Sequence, residues 1–213
     1  ATNGLDAWPE FALNSKKHLS TALTNNMGLK TVMGYELKTR AQDMRNDKLE
    51  DPFQDWKDAK EHFYHTRAPF YFLVILIFCY MLARAADREE DEWAAACLGT
   101  GLIVMAAELT CYYYGFLLSY GLLWKRRKLP GILVTALSAF TCFIYPQLEW
   151  NDDHFAAMSL ATVITVIAVT AQAAFGKRVR PGADDEPESL PEPAPASLPA
   201  PESLPEPESL PAA

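Results

Sequence analysis

The sequence predicts an all-α, polytopic integral membrane helix bundle, with a helical extramembrane amino-terminal region and a disordered Pro/Glu-rich tail. Three observations predict it. Residues 94–124, AAACLGTGLIVMAAELTCYYYGFLLSYGLLW, form an apolar run, and a run longer than about 20 residues reads as membrane-spanning. Further apolar runs stand at 69–86, 129–146 and 155–175, parted by short charged or Pro-containing segments. Residues 181–213 carry eight acidic residues and no basic one, and Ser-Leu-Pro recurs at 189–191, 197–199, 203–205 and 209–211. Such a low-complexity stretch cannot build a core.

The mean hydropathy of -0.06 resembles that of a soluble protein, but the average conceals segregation. Residues 1–67 balance ten Lys+Arg with ten Asp+Glu, residues 68–180 balance nine with nine, and the net charge of -8 sits in the tail. No basic stripe suggests a nucleic-acid partner. The expected partners are the lipid bilayer and other membrane helices or subunits. Cys79, Cys97, Cys111 and Cys142 all fall inside apolar runs, so they read as small buried hydrophobes rather than as a disulfide framework.

Residues 1–67 read as a helical extramembrane or interfacial region, residues 68–176 as the membrane bundle, and 177–213 as a basic stop followed by the tail. A first helix opens at Trp8-Pro9, with proline at the first helical position. Residues 24–29 suit a turn. A second helix fits 37–48. The third begins after Asp51-Pro52, with Phe53, Trp56, Lys60 (through its aliphatic stem) and Phe63 along one face. It runs toward the first apolar segment through an aromatic belt of Phe63, Tyr64, Phe70 and Tyr71. Pro146 ends the third apolar segment, and Asp153 is the expected N-cap of the last.

The Lys/Arg bias orients the bundle. Lys125, Arg126, Arg127 and Lys128 mark a cytoplasmic loop, and Lys177, Arg178 and Arg180 put the tail in the cytoplasm too. The loop 147–154, without Lys or Arg, is then external. The expected location is a bacterial inner membrane. Upstream, the number of crossings made by 94–124 decides the topology. As one α-helix it would extend about 46 Å against about 30 Å of hydrocarbon. Two crossings would need halves of about 15 residues and a turn at Glu-Leu-Thr-Cys, which is not turn chemistry. The favoured expectation is one crossing, hence about four transmembrane helices with residues 1–67 cytoplasmic. The alternative is five, with those residues outside.

Glu108 is the first candidate for chemistry, because an ionisable residue inside a span costs roughly 2.5–3.5 kcal/mol on insertion scales. A relay or substrate contact is one reading. Neutral burial with a hydrogen bond to Thr110 or a tyrosine hydroxyl is the other, and it gains weight because no Lys, His or Asp stands in the other spans. Asp152, Asp153 and His154 form a lesser candidate cluster beside Trp150, for which an acidic loop is the plainer reading. Tyr112, Tyr113, Tyr114, Tyr120 and Trp124 suit lipid or helix contact. His62 and His65 lie one helical turn apart, a spacing able to hold a metal, but without further ligands they are a weak pair. No Walker, GxSxG, HExxH or CxxC pattern occurs, and no cofactor is expected.

Two stretches, GLDAWPEFALNSKKHLSTALTNNMGLKTV (4–32) and AELTCYYYGFLLSYGLLW (107–124), resemble parts of uncharacterised polytopic bacterial membrane proteins. Those chains are similar to membrane glycosyltransferases that use lipid-linked sugar donors. The resemblance implies that this chain corresponds to a carboxyl-terminal half, and that 4–67 lie outside and 94–124 cross twice. The catalytic carboxylate of that class lies in an early external loop with no counterpart here. Two function classes follow. One is a non-catalytic membrane module or accessory subunit of a larger protein or complex. The other is an enzyme or transporter acting on a lipid-linked or small polar substrate. Where Glu108 points should separate them: a cavity with a second ionisable group favours the latter, and a packed carboxylate bonded to a hydroxyl favours the former.

Overall fold

The computed structural model describes residues 7–20 and 22–177. Among them the chain is mostly helical, in the order α1 (Ala7–Ser20), β1 (Asn26–Met27), α2 (Leu29–Gly34), α3 (Gln54–Arg88), α4 (Glu92–Gly99), α5 (Gly101–Ala106), β2 (Leu109–Thr110), a 3-10 run (Cys111–Leu118), α6 (Ser119–Leu122), a 3-10 turn (Leu123–Lys125), α7 (Lys128–Ile144) and α8 (Asn151–Phe175). The tail from 181, with Arg178 and Arg180, lies outside the described residues.

Two helices, α3 and α8, are long and apolar enough to cross a membrane. They differ in burial: half of the most apolar window of α8 is covered by protein, against 22 % for α3. α8 is the central helix, turning a stripe of small and β-branched residues (Ser159, Thr162, Val163, Val166, Thr170 and Ala173) inward. α3 buries Tyr71, Phe78, Met81 and Ala85 along one face and leaves Phe70, Phe72, Leu73, Leu76, Ile77 and Tyr80 at least half exposed. Its N-cap is Phe53 rather than the expected Asp51, whose carboxylate instead accepts from the Phe53 N–H at 3.0 Å and from the Lys57 ammonium at 2.6 Å just before the helix. It then continues unbroken through Pro69, so the boundary drawn at 67/68 falls inside one helix.

Three further expectations are corrected. Residues 37–48 form turns rather than a helix. Their backbone is instead held by turn bonds such as Met44 N–H to Arg40 C=O and by Asp152, which accepts the Ala41 N–H. Asp153 does not cap α8, whose cap is Trp150; its carboxylate is taken by Arg40 and Tyr35.

The third correction concerns 94–124, which is not one continuous α-helix. α4 and α5 end at Ala106, residues 107–110 are extended, and the chain returns through the 3-10 run and α6. The two arms lie side by side, with Thr100 Oγ1 3.4 Å from Ser119 Oγ. Their outer ends meet where Arg126 and Arg127 bond Glu89 and Arg126 also bonds Asp91. The fold-back needs no tight-turn residues because β2 pairs antiparallel with β1, Asn26 opposite Thr110 and Met27 opposite Leu109. Cys111 N–H also donates to Asn25 C=O at 3.0 Å. Non-helical backbone inside such a bundle survives only when its polar groups are paired, and β1 supplies the partners.

The bundle therefore has two distinct ends. At one, here called the base, lie the Glu89–Arg127 cluster and the carboxyl ends of α3 and α8. There Arg84 donates to Ala174 C=O and Arg88 to Gly176 C=O, satisfying carbonyls that a helix end leaves open. At the other lie the hairpin tip, the first turn of α8 and residues 22–53, here called the cap.

Candidate functional site

The site lies where the cap, α3 and the hairpin tip converge on Glu108. Its carboxylate is buried, with its side chain 4 % exposed. It accepts from Lys60 Nζ at 2.5 Å and from Thr31 Oγ1 at 3.0 Å, and Lys30 Nζ stands 3.6 Å away. Thr31 and Lys30 are adjacent on α2, a six-residue helix placed by Gly28. Gly28 has φ 122°, and its N–H donates to Ser159 Oγ at 3.2 Å. Lys60 sits one turn beyond Trp56 on α3, its ammonium 5.4 Å from the Trp56 ring. Lys30 lies over the Tyr64 ring at 5.1 Å.

Two cavities meet at Glu108. One, of about 290 Å3, opens between α2 and α3 past Lys30, Lys60, Tyr64, Asp58 and Glu61. The other, of about 470 Å3, is lined by Asn26, Leu109, Thr110, Tyr112 and Tyr113. A carboxylate bridged by two ammonium groups keeps its charge compensated without water.

A second polar cluster pins the cap to the first turn of α8. Arg40 forks onto Asp153 at 2.8–3.1 Å, and the Tyr35 hydroxyl donates to the same carboxylate at 2.8 Å. Burial, followed by the hydrogen bond to Asp153, pushes the Tyr35 phenol up to about 12. Arg67 donates to Met33 C=O and Tyr35 C=O and pairs with Glu36 at 2.9 Å. The chain has no match among family models, curated proteins or solved structures.

The sequence candidates scatter. Glu108 is at the centre, whereas Asp152 and Asp153 hold the cap and do not share Glu108's hydrogen bonds. His154 is buried between Tyr145 and Phe155, with Nε2 unpartnered. His62 and His65 are on the exposed side of α3. His65 stands 3.4 Å from Glu61, and among the described residues no cluster of three or more metal-ligating side chains forms.

The aromatic set divides. Tyr112 and Tyr113 are exposed with ring centroids 4.6 Å apart, and Tyr114 and Tyr120 are buried. Trp124 packs over Gly131, with Lys128 at 5.0 Å. Of the basic loop, Arg126 and Arg127 are committed to Glu89 and Asp91.

What the sequence reading missed was the partner of Glu108. Lys60 and Lys30 come from the amino-terminal region rather than from another span. One signal was present: Lys60 occupies an apolar-face position of its helix, where a lysine must find an anion or reach water.

Proposed function

We propose that this chain is a non-catalytic integral membrane module, and that Glu108 latches its amino-terminal cap onto the membrane bundle. The observation that carries the reading is the engagement of Glu108: Lys60 of α3 and Thr31 of the cap both donate to its Oε1, and Lys30 of the cap stands 3.6 Å from its Oε2. Membrane residence is supported by the two long apolar helices and by the outward apolar face of α3, an exposed patch that a soluble protein rarely keeps. The positive-inside rule puts the Lys125–Lys128 loop in the cytoplasm. The cap, at the opposite end, is then external, and five passes replace four. A bacterial inner membrane and a cytoplasmic tail belong to this proposal, as does service as an accessory part of a larger protein or complex.

Glu108 meets a condition of each function class, since it is packed and bonded to a hydroxyl and also faces cavities with lysines beside it. Its orientation thus supports a second reading, an enzyme or transporter for a lipid-linked or small polar substrate. The external cap agrees with what the glycosyltransferase resemblance implies. A double-mutant cycle tests the latch. Glu108→Gln and Lys60→Gln should each lower stability by about 3–5 kcal/mol, the usual cost of breaking a buried pair. The double variant should lose less than the sum. Thermal unfolding in detergent measures this, and a Glu108→Gln chain as stable as wild type would refute the latch.

A further inference from the structure

The cavity between α2 and α3 has a charge layout that the latch does not use. Inside it, two ammonium groups face one carboxylate: Lys60 bonds Glu108, while Lys30, at 3.6 Å, lies beyond hydrogen-bond reach. The Lys30 side chain is one-third exposed and lines the cavity, its ammonium 5.1 Å from the centre of the Tyr64 ring. Outside it, at the mouth, stand the exposed carboxylates of Asp58 and Glu61, one helical step apart on the stripe of α3 that lines the opening. Asp58 accepts from Gln54, and Glu61 faces His65. Lys57, which also lines the cavity, is paired with Asp51 at 2.6 Å, so Asp58 and Glu61 remain to attract a cation, while the two interior ammonium groups favour an anion.

We propose that this cavity binds a phosphoethanolamine-type group, its phosphate on Lys30 and Lys60 and its primary ammonium between Asp58 and Glu61. Tyr64 precedes Pro69, where the apolar run begins, by five residues. That is about 7.5 Å of helix, comparable to the depth of one headgroup layer. Lys60 lies nine residues before Pro69, about 13.5 Å of helix, so the cavity runs from the headgroup layer outward into the cap. A volume of about 290 Å3 accepts a headgroup and leaves acyl chains outside. The group comes from a phospholipid or from a free phosphoethanolamine ester.

The test uses the full chain and reads its melting temperature. In detergent, O-phosphoethanolamine should raise it. In nanodiscs, phosphatidylethanolamine should raise it relative to phosphatidylcholine, whose methylated ammonium cannot donate to carboxylates. A rise in nanodiscs alone identifies the lipid as the source, a rise in detergent identifies the free ester, and both support the site. Lys30→Gln leaves the Lys60–Glu108 bond in place, so it should fold with its unliganded melting temperature near wild type and bind at least tenfold more weakly. Glu61→Gln should narrow the preference for ethanolamine over choline. No rise in either setting overturns the proposal. So does an equal rise with inorganic phosphate alone, or one that Lys30→Gln leaves intact.

Discussion

Glu108 shows how one residue ties three elements, for its Oε1 accepts from both Lys60 on α3 and Thr31 on α2 while it sits on the hairpin tip. Gly28 is the matching backbone position. At φ 122° it occupies a region that side-chain-bearing residues rarely adopt, and a Cβ there would lie 2.7 Å from Ala107 C=O. Gly28→Ala should therefore cost more than about 1 kcal/mol, combining backbone strain with displacement of the hairpin tip. Thermal unfolding in detergent, with Gly99→Ala as a control in open space, measures it. Tyr35 gives a pH signature. Its folded pKa of about 12 exceeds the unfolded value of about 10, so the fold favours the neutral phenol. Its contribution is complete below pH ~10 and is lost as pH rises toward ~12. Tyr35→Phe should remove that alkaline loss, as melting temperatures across the range will register.

At the scale of elements, the proposed five-pass arrangement asks 15 residues of the hairpin 92–125 to serve as a passage. A 3-10 run rises about 2.0 Å per residue against 1.5 Å for an α-helix. The returning arm, largely 3-10 between Cys111 and Lys125, therefore spans about 28 Å, close to the hydrocarbon thickness. An α-helix of equal length would fall short, which is why counting residues alone favoured a single passage. The hairpin is closed at the base by Glu89, whose side chain is 5 % exposed and bonds both Arg126 and Arg127. Glu89→Gln leaves the Arg127 guanidinium, itself 8 % exposed, without its anion. The expected loss is about 3–5 kcal/mol, with faster proteolysis around 125–128 as a local readout.

At the scale of the molecule, the ends of the bundle are set by contacts distant in sequence. Arg40 on Asp153 brings the cap to the first turn of α8, and Arg84 and Arg88 on the last carbonyls of α8 align the far ends of α3 and α8. The cap and residues 125–128 therefore occupy opposite ends. In a chain freed of native cysteines, a cysteine at Glu50 should react with an impermeant reagent in intact cells, while one at Lys125 should react only after permeabilisation. Both on one side would refute the five-pass topology, and the reverse pattern would refute its orientation.

Composition and periodicity alone determined the helical character, the apolar runs, a helix opening shortly after Asp51-Pro52 and the presence of one carboxylate, Glu108, inside an apolar run, because each is a local property of residue type and spacing. The tertiary structure decided the fold-back at 107–110, the absence of a helix at 37–48 and the partners of Glu108. Each of these depends on groups far apart in the chain: a strand partner for β2, a carboxylate for the Ala41 N–H, and lysines 48 and 78 residues upstream of Glu108. Spacing within one element cannot reveal a partner that folding brings from another.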